Sequence, residues 1–126
     1  IPLGGADVII SMEPMEALRY LPYLSKDGWI ITSSTPFVNI HNYPDIEKIK
    51  ADLKSIENVV VLDIEQLAKD NGVPRSANVI LLGAAQKAIG IDYEKIEDAI
   101  RRVFDRKGEA IVNANIKALS IGKEAK

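Results

Sequence analysis

Carboxylate and hydroxyl side chains stand at the ends of three apolar, β-rich runs of the sequence. Glu13 and Thr35 come just after two of these runs, and Asp63 ends the third. Because ligands of open α/β sheets bind beyond the carboxyl ends of the strands, Glu13 and Asp63 could act as an acid and a base. Both also precede helical segments, where a carboxylate caps the first turn and favours the positive end of the helix dipole. We favour capping, because it needs no assumption that the two side chains meet.

The connection from Ser34 to Pro44 is a second candidate, since it is longer than the about two to six residues usual for a strand-to-helix loop. It carries four apolar side chains among polar ones: Phe37, Val38, Ile40 and Tyr43. If these side chains are exposed, they would form an apolar patch that a partner protein could contact. Folded back over the sheet edge, they would cover the core, and the sequence leaves both alternatives open. His41 is not predicted to bind a metal, because it lacks co-ligands at a suitable spacing.

Arg75 and Ser76 form the third candidate. A cation and a hydroxyl at a helix N-terminus could hold a phosphate or a carboxylate. Capping of the helix by Ser76 is the interpretation that we favour. Neither GxGxxG nor GxxxxGK[ST] occurs in the sequence, so it contains no glycine-rich loop of the kind that cradles phosphates.

The elements that would position these residues alternate between strand and helix. Apolar, β-branched runs predict strands at 6–12, 29–33 and 59–63, and an amphipathic pattern predicts a helix over 45–56. Such alternation indicates right-handed crossovers and a mainly parallel sheet in a three-layer α/β unit. Three strands are few for such a sheet and the sequence opens at Ile1 without Met, so we expect further strands from upstream residues or from another chain.

The second half is predicted to be helical. Patterns and stop signals place helices at 63–72, 76–90 and 92–108, with a fourth over 109–121 that Gly122 ends. The helix over 76–90 is apolar on nearly every side and is therefore expected to be buried. We interpret residues 1–126 as a single domain, because one core usually needs about 100 to 200 residues.

Composition excludes several classes of function. A net charge of −2 does not favour nucleic acid, and no apolar run approaches the roughly 20 residues needed to cross a membrane. With no Cys and one His, the chain cannot supply a catalytic thiolate, an iron–sulfur ligand set or an ordinary zinc site. We expect no metal or cofactor on this chain, and a cytoplasmic location.

The run GADVIISMEPMEALRYL, residues 5–21, resembles the core of the gamma-type subunit of 2-oxoacid:ferredoxin oxidoreductases, most closely the beta subunit of the indolepyruvate enzymes. Later stretches are similar to the family's blocks in the same order: Thr35-Pro36, Tyr43 to Asp45, Asn78 to Ala84, and Asn115 to Gly122, with Leu119 where Phe is commoner. The glycine-rich strand and turn with which family members begin is missing, so the sequence resembles the C-terminal portion of that subunit.

The resemblance implies thiamine-diphosphate-dependent oxidative decarboxylation of a 2-oxoacid to an acyl-coenzyme A, with electrons passed through iron–sulfur clusters to ferredoxin. It places those cofactors on larger catalytic subunits, so this chain would be inactive alone, would reach ferredoxin only indirectly, and could also form a homodimer. Six residues are our candidates for the substrate-facing or partner-facing surface: Glu13, Thr35, Phe37, Asn39, Tyr43 and Arg75. The alternative is a stand-alone α/β ligand-binding or regulatory module that recognises a carboxylate or nucleotide at Arg75 and Ser76.

Overall fold

The computed structural model describes residues 1–35 and 45–125. They form two compact units, Ile1–Asp63 and Ile64–Lys126. The interpretation of residues 1–126 as a single domain stays a prediction. No helix within the described residues is long and apolar enough to cross a membrane.

The first unit is built on a parallel sheet of three strands. These are β1 (Ala6–Ser11), β2 (Leu24–Ser33) and β3 (Val59–Leu62), in the spatial order β1-β2-β3. Ile9 of β1 lies opposite Ile30 of β2, which lies opposite Val59 of β3. Both pairs of strands run parallel, which confirms the predicted α/β fold with a parallel sheet.

Two helices and a short turn connect the strands. They are α1 (Pro14–Arg19), a 3-10 turn at Leu21–Tyr23, and α2 (Ile46–Lys54). The α1 helix ends at Arg19, shortly before Pro22, because proline lacks an N–H donor and disfavours helical geometry at the residue before it. The core of the unit forms where both helices meet the sheet, from Ala17, Ile30, Ile49 and Leu53.

The second unit is helical, as predicted. Its four helices are α3 (Ile64–Asp70), α4 (Ala77–Ile89), α5 (Tyr93–Phe104) and α6 (Glu109–Glu124), with 3-10 turns at Pro74–Ser76 and Asp105–Lys107. Gly90 ends α4 at a φ of 79°, in the left-handed region that favours glycine.

The predicted helix stop at Gly122 is wrong, because α6 continues to Glu124. Gly122 lies inside the helix and is buried. A Cβ added there would overlap the carbonyl oxygen of Ile80, and one added at Gly83 would overlap that of Leu119. The two glycines are therefore needed for the close crossing of α4 and α6 rather than for a turn.

The burial of α4 is less complete than its sequence predicts. Val79, Ile80 and Leu81 are buried, whereas Leu82 is half-buried and Lys87 is exposed. The α6 helix covers one side of α4 closely at the glycine crossing. Apolar residues on the other sides of α4, such as Leu82, are only partly covered by the described residues.

We predict that Gly122→Ala destabilises the protein by about 2 kcal/mol, because overpacking a tight contact typically costs that much. In an ordinary helix position, a change from glycine to alanine would stabilise the protein by up to about 1 kcal/mol. The sign of the change in the free energy of unfolding therefore tells whether Gly122 lies at a close crossing. Urea unfolding measures the effect. Asn113→Ala, at an exposed position of the same helix, is the control and should change the free energy of unfolding by less than about 0.5 kcal/mol. A Gly122→Ala protein as stable as the wild type would contradict the close crossing.

Candidate functional site

Glu13, the first strand-end candidate, is buried, with 4% of its surface exposed. Its Oε1 accepts a hydrogen bond from the backbone N–H of Met15 at 2.5 Å, which caps the start of α1. Its backbone is also held by Ser11, whose Oγ donates to the Glu13 carbonyl at 2.6 Å and accepts from the Glu13 N–H at 3.1 Å. The capping interpretation of Glu13 is confirmed.

Thr35 and Asp63 meet at the carboxyl ends of β2 and β3. The Thr35 Oγ1 donates a hydrogen bond to the Asp63 Oδ1 at 3.3 Å, and the Thr35 N–H donates to the Ser33 Oγ at 3.2 Å. Just before them, the Ser34 N–H donates to the Leu62 carbonyl at 2.8 Å. These contacts continue the pairing of the two strands by one step and fix the point at which the chain leaves the sheet.

Glu13 and Asp63 follow strands that are not neighbours. Since β2 lies between β1 and β3, the two outer strands are separated by twice the interstrand spacing, about 10 Å. The sheet order therefore gives no support to the interpretation of Glu13 and Asp63 as an acid and base pair.

A groove runs along the side of β1 that faces away from β2. It has a volume of about 790 Å³ and is lined by β1 and by the segment that follows, including Val8, Ile10, Glu16, Tyr20 and Tyr23. The rings of Tyr20 and Tyr23 lie 6.0 Å apart, centroid to centroid. We call this feature the edge groove. The edge groove was not predicted from the sequence, although the apolar run of β1 and the two tyrosines after α1 are signals of it.

Large apolar side chains are exposed around the edge groove. Ile10 and Tyr20, which line the groove, are 42% and 50% exposed, and Trp29, which lies opposite Val8 on β2 but does not line the groove, is 39% exposed. By contrast, Ile31, which lies opposite Ile10 on β2, is 1% exposed. The apolar surface of the sheet is therefore left open on the β1 side.

Arg75 is exposed and lies in the 3-10 turn that precedes α4 in the second unit. Ser76 is buried but makes no capping hydrogen bond with its side chain, so the prediction that it caps α4 is wrong. The 3-10 turn gives Ser76 a φ of −111° and a ψ of 22°, whereas a capping side chain needs the extended backbone typical of an N-cap residue.

The remaining candidates lie outside the described residues. They are Phe37, Asn39 and Tyr43, together with His41. Their proposed roles stay predictions.

The residues of this chain do not fit an iron–sulfur cluster, because such clusters are held chiefly by Cys thiolates and the chain has none. Within residues 1–35 and 45–125, no group of three or more His, Asp or Glu side chains is placed to hold a metal ion.

A parallel sheet with helical crossovers, followed by a helical unit, defines an α/β protein. A sequence profile of the pyruvate ferredoxin/flavodoxin oxidoreductase family matches residues 1–125, and the chain belongs to this family. It is 35% identical to indolepyruvate oxidoreductase subunit IorB of Pyrococcus horikoshii, over 99% of this chain and 65% of that protein. It is 31% identical to the subunit of the same name from Archaeoglobus fulgidus, over 97% of this chain and 64% of that protein. The chain thus spans about two thirds of the length of these relatives.

The fold is also similar to a solved structure. The 2-oxoglutarate:ferredoxin oxidoreductase of Magnetococcus marinus, with 2-oxoglutarate, coenzyme A and succinyl-CoA bound, matches with a TM-score of 0.65. The match covers 98% of this chain and 21% of that chain, at 21% identity. It supports the α/β fold described above.

We predict that Glu13→Ala lowers the free energy of unfolding by about 1 kcal/mol, because it removes the acceptor that caps α1. Chemical denaturation is the measurement. Glu47→Ala removes a carboxylate from the first turn of α2 whose side chain is 79% exposed, and should cost less than about 0.5 kcal/mol. Equal effects of the two substitutions would show that Glu13 contributes only a surface charge.

Proposed function

We propose that this chain is a part of a 2-oxoacid:ferredoxin oxidoreductase that carries no cofactor, and that it acts in complex with larger catalytic subunits. Membership of the family and likeness to the IorB subunits support this role, and the names of those relatives point to indolepyruvate as the substrate. The lack of cysteine supports the placement of the clusters on other chains.

The edge groove is the observation that carries the proposal. Parallel sheets are normally covered on both faces, and their strands are apolar for that reason. β1 has this apolar character, yet none of the described residues pairs with its outer side. Exposed strand edges are usually protected, because their free N–H and C=O groups recruit other strands. We therefore infer that β1 becomes an interior strand in the assembled enzyme.

Exposed side chains around the groove support the same inference. Ile10 and Tyr20 provide apolar and aromatic area of the kind that is enriched at the centres of protein interfaces. A partner that adds a strand to β1 would cover these side chains as well as the backbone groups of the edge.

Cofactors of the assembled enzyme would supply the electron sink for decarboxylation and the carriers for the electrons. The residues of this chain would shape the surface against which the catalytic subunits pack. Thr35 and Arg75 are candidates for that surface, whereas the Glu13 side chain already serves as a cap. Phe37, Asn39 and Tyr43 stay proposed contacts of the long connection.

A stand-alone ligand-binding module is the alternative function. The family match over nearly the whole chain favours the oxidoreductase subunit, because the similar proteins from two organisms are named as subunits. The module would require that the chain work without partners, which the open edge of β1 does not favour.

We predict that Ile10→Lys weakens assembly with the catalytic subunits by at least about tenfold, because it places a charge in the apolar edge groove. Co-expression with the genomic neighbours followed by pull-down measures the effect. Ile91→Lys is the matched control, since Ile91 is 46% exposed and lies in the second unit. Circular dichroism establishes that both variants fold. Assembly equal to that of the wild type in Ile10→Lys would remove the edge groove from the interface.

We predict that the isolated chain does not reduce ferredoxin when a 2-oxoacid is supplied. The cofactors that carry the electrons would be bound to other chains. Mixing it with the catalytic subunits should restore the activity. Double substitution Phe37→Ser and Tyr43→Ser should lower the recovered activity, if the long connection contacts a partner. Ferredoxin reduction by the purified chain alone would overturn the proposed function.

A further inference from the structure

A second cavity lies within the helical unit, beside the start of α4. It has a volume of about 500 Å³ and is formed by the 3-10 turn before α4, the end of α5 and one side of α6. Its walls are largely apolar and include Phe104 and Ile111. A concave apolar site with a few polar groups is the usual form of a small-molecule site.

Two cations line this cavity. Arg75 comes from the 3-10 turn before α4, and Lys107 ends the 3-10 turn that follows α5, with its Nζ 5.7 Å from the centre of the Phe104 ring. None of the described residues that line the cavity is a carboxylate, and neither cation forms an ion pair with a described carboxylate. The lining residues therefore include two positive charges and no negative one, which favours an anion.

Two buried polar side chains line the same cavity. Ser76 and Asn115 are each 5% exposed. Asn115 uses its Nδ2 to donate to the Ile111 carbonyl at 2.9 Å, whereas the Ser76 hydroxyl has no hydrogen-bond partner among the described residues. No described side-chain oxygen or nitrogen is both fully buried and without a partner. The Ser76 Oγ must therefore reach open space, and the cavity is the space that Ser76 lines.

The start of α4 adds to this polar end. The helix has 13 residues and follows the 3-10 turn directly, so the positive end of its dipole lies beside Ser76. Because Ser76 does not cap the helix, its hydroxyl is available to an anion at this end of the dipole. Asn78, in the first turn, also lines the cavity and supplies a neutral amide.

We propose that this cavity binds a phosphate monoester of a small apolar or aromatic molecule. The guanidinium of Arg75, the ammonium of Lys107 and the Ser76 hydroxyl are more donors than the two oxygens of a carboxylate need, and they suit a dianion with three acceptor oxygens. The apolar walls around Phe104 would receive the organic part. This site shares no lining residue with the edge groove, and it does not depend on the proposed oxidoreductase role.

The test is a titration of the full chain with phenyl phosphate, followed by two-dimensional amide NMR. We expect saturable shifts at residues 75–79 and 107–115, with a Kd on the order of 1–10 mM for a ligand of this size. Benzoate and benzyl alcohol are the comparison probes, with the same ring but one carboxylate or no charge. Benzoate should bind at least about threefold more weakly, because it offers fewer acceptors.

Arg75→Gln should weaken the binding of phenyl phosphate about tenfold, because it removes a charge-assisted hydrogen bond. Arg106→Gln removes the same charge one residue before Lys107 at an exposed position that does not line the cavity, and should change the Kd by less than about twofold. The NMR spectra themselves show whether each variant is folded. The proposal would be overturned by the absence of saturable shifts at these residues, by equal weakening in both variants, or by benzoate binding as tightly as phenyl phosphate.

Discussion

The parallel pairing of β2 with both of its neighbours is the constraint on which the first unit depends. Parallel strands cannot be joined by a tight hairpin, so each connection must leave the sheet and return, and α1 and α2 occupy the two crossovers. The helices then bury Ala17, Ile49 and Leu53 against the central Ile30. With β2 in the middle, β1 and β3 become the edges, and the apolar β1 is left with an open side.

The open side connects the fold to the proposed role in a complex. At the edge of a sheet, the free backbone N–H and C=O groups of a strand must be solvated or covered. A strand added by another segment covers both these backbone groups and the apolar side chains. The same feature accounts for the large apolar residues that are exposed in the edge groove. The proposed assembly therefore rests on one physical requirement, the covering of β1.

In the second unit, the corresponding constraint is the close crossing of α4 and α6 at Gly83 and Gly122. The crossing fixes α6 beside α4, so that Asn115 of α6 lines the same cavity as Ser76 at the start of α4. The two glycines at the crossing and the cavity near the start of α4 are thus parts of one arrangement. The proposed phosphate site follows from helix packing together with the charges of Arg75 and Lys107.

Local signals predicted most elements but not the features that depend on packing. The strand runs were visible because a buried parallel strand is apolar on both faces, and Asp45 marked the start of α2, where its side chain accepts a hydrogen bond from the Glu47 N–H. Gly122 was misjudged because a glycine that ends a helix and one that permits a crossing look alike in sequence. Ser76 does not cap α4, because it lies in the 3-10 turn and its backbone is outside the capping conformation.

The candidate site was predicted only in part, for a related reason. The capping role of Glu13 follows from its position before Pro14, and the structure bears it out. The meeting of Thr35 with Asp63 depends on the pairing of β2 with β3, and the edge groove depends on which strand is left outermost. Strand order is set by contacts between distant residues, so neither feature could be derived from the periodicity of the sequence.

Hydrogen exchange of the β1 amides tests the central claim most directly. The rates would be measured for residues 6–11 in the isolated chain and in the complex with the catalytic subunits. The account predicts that amides of β1 exchange at least about tenfold more slowly in the complex, because a strand added to the open edge gives them acceptors. Unchanged exchange across β1 in a fully assembled, active complex would contradict it.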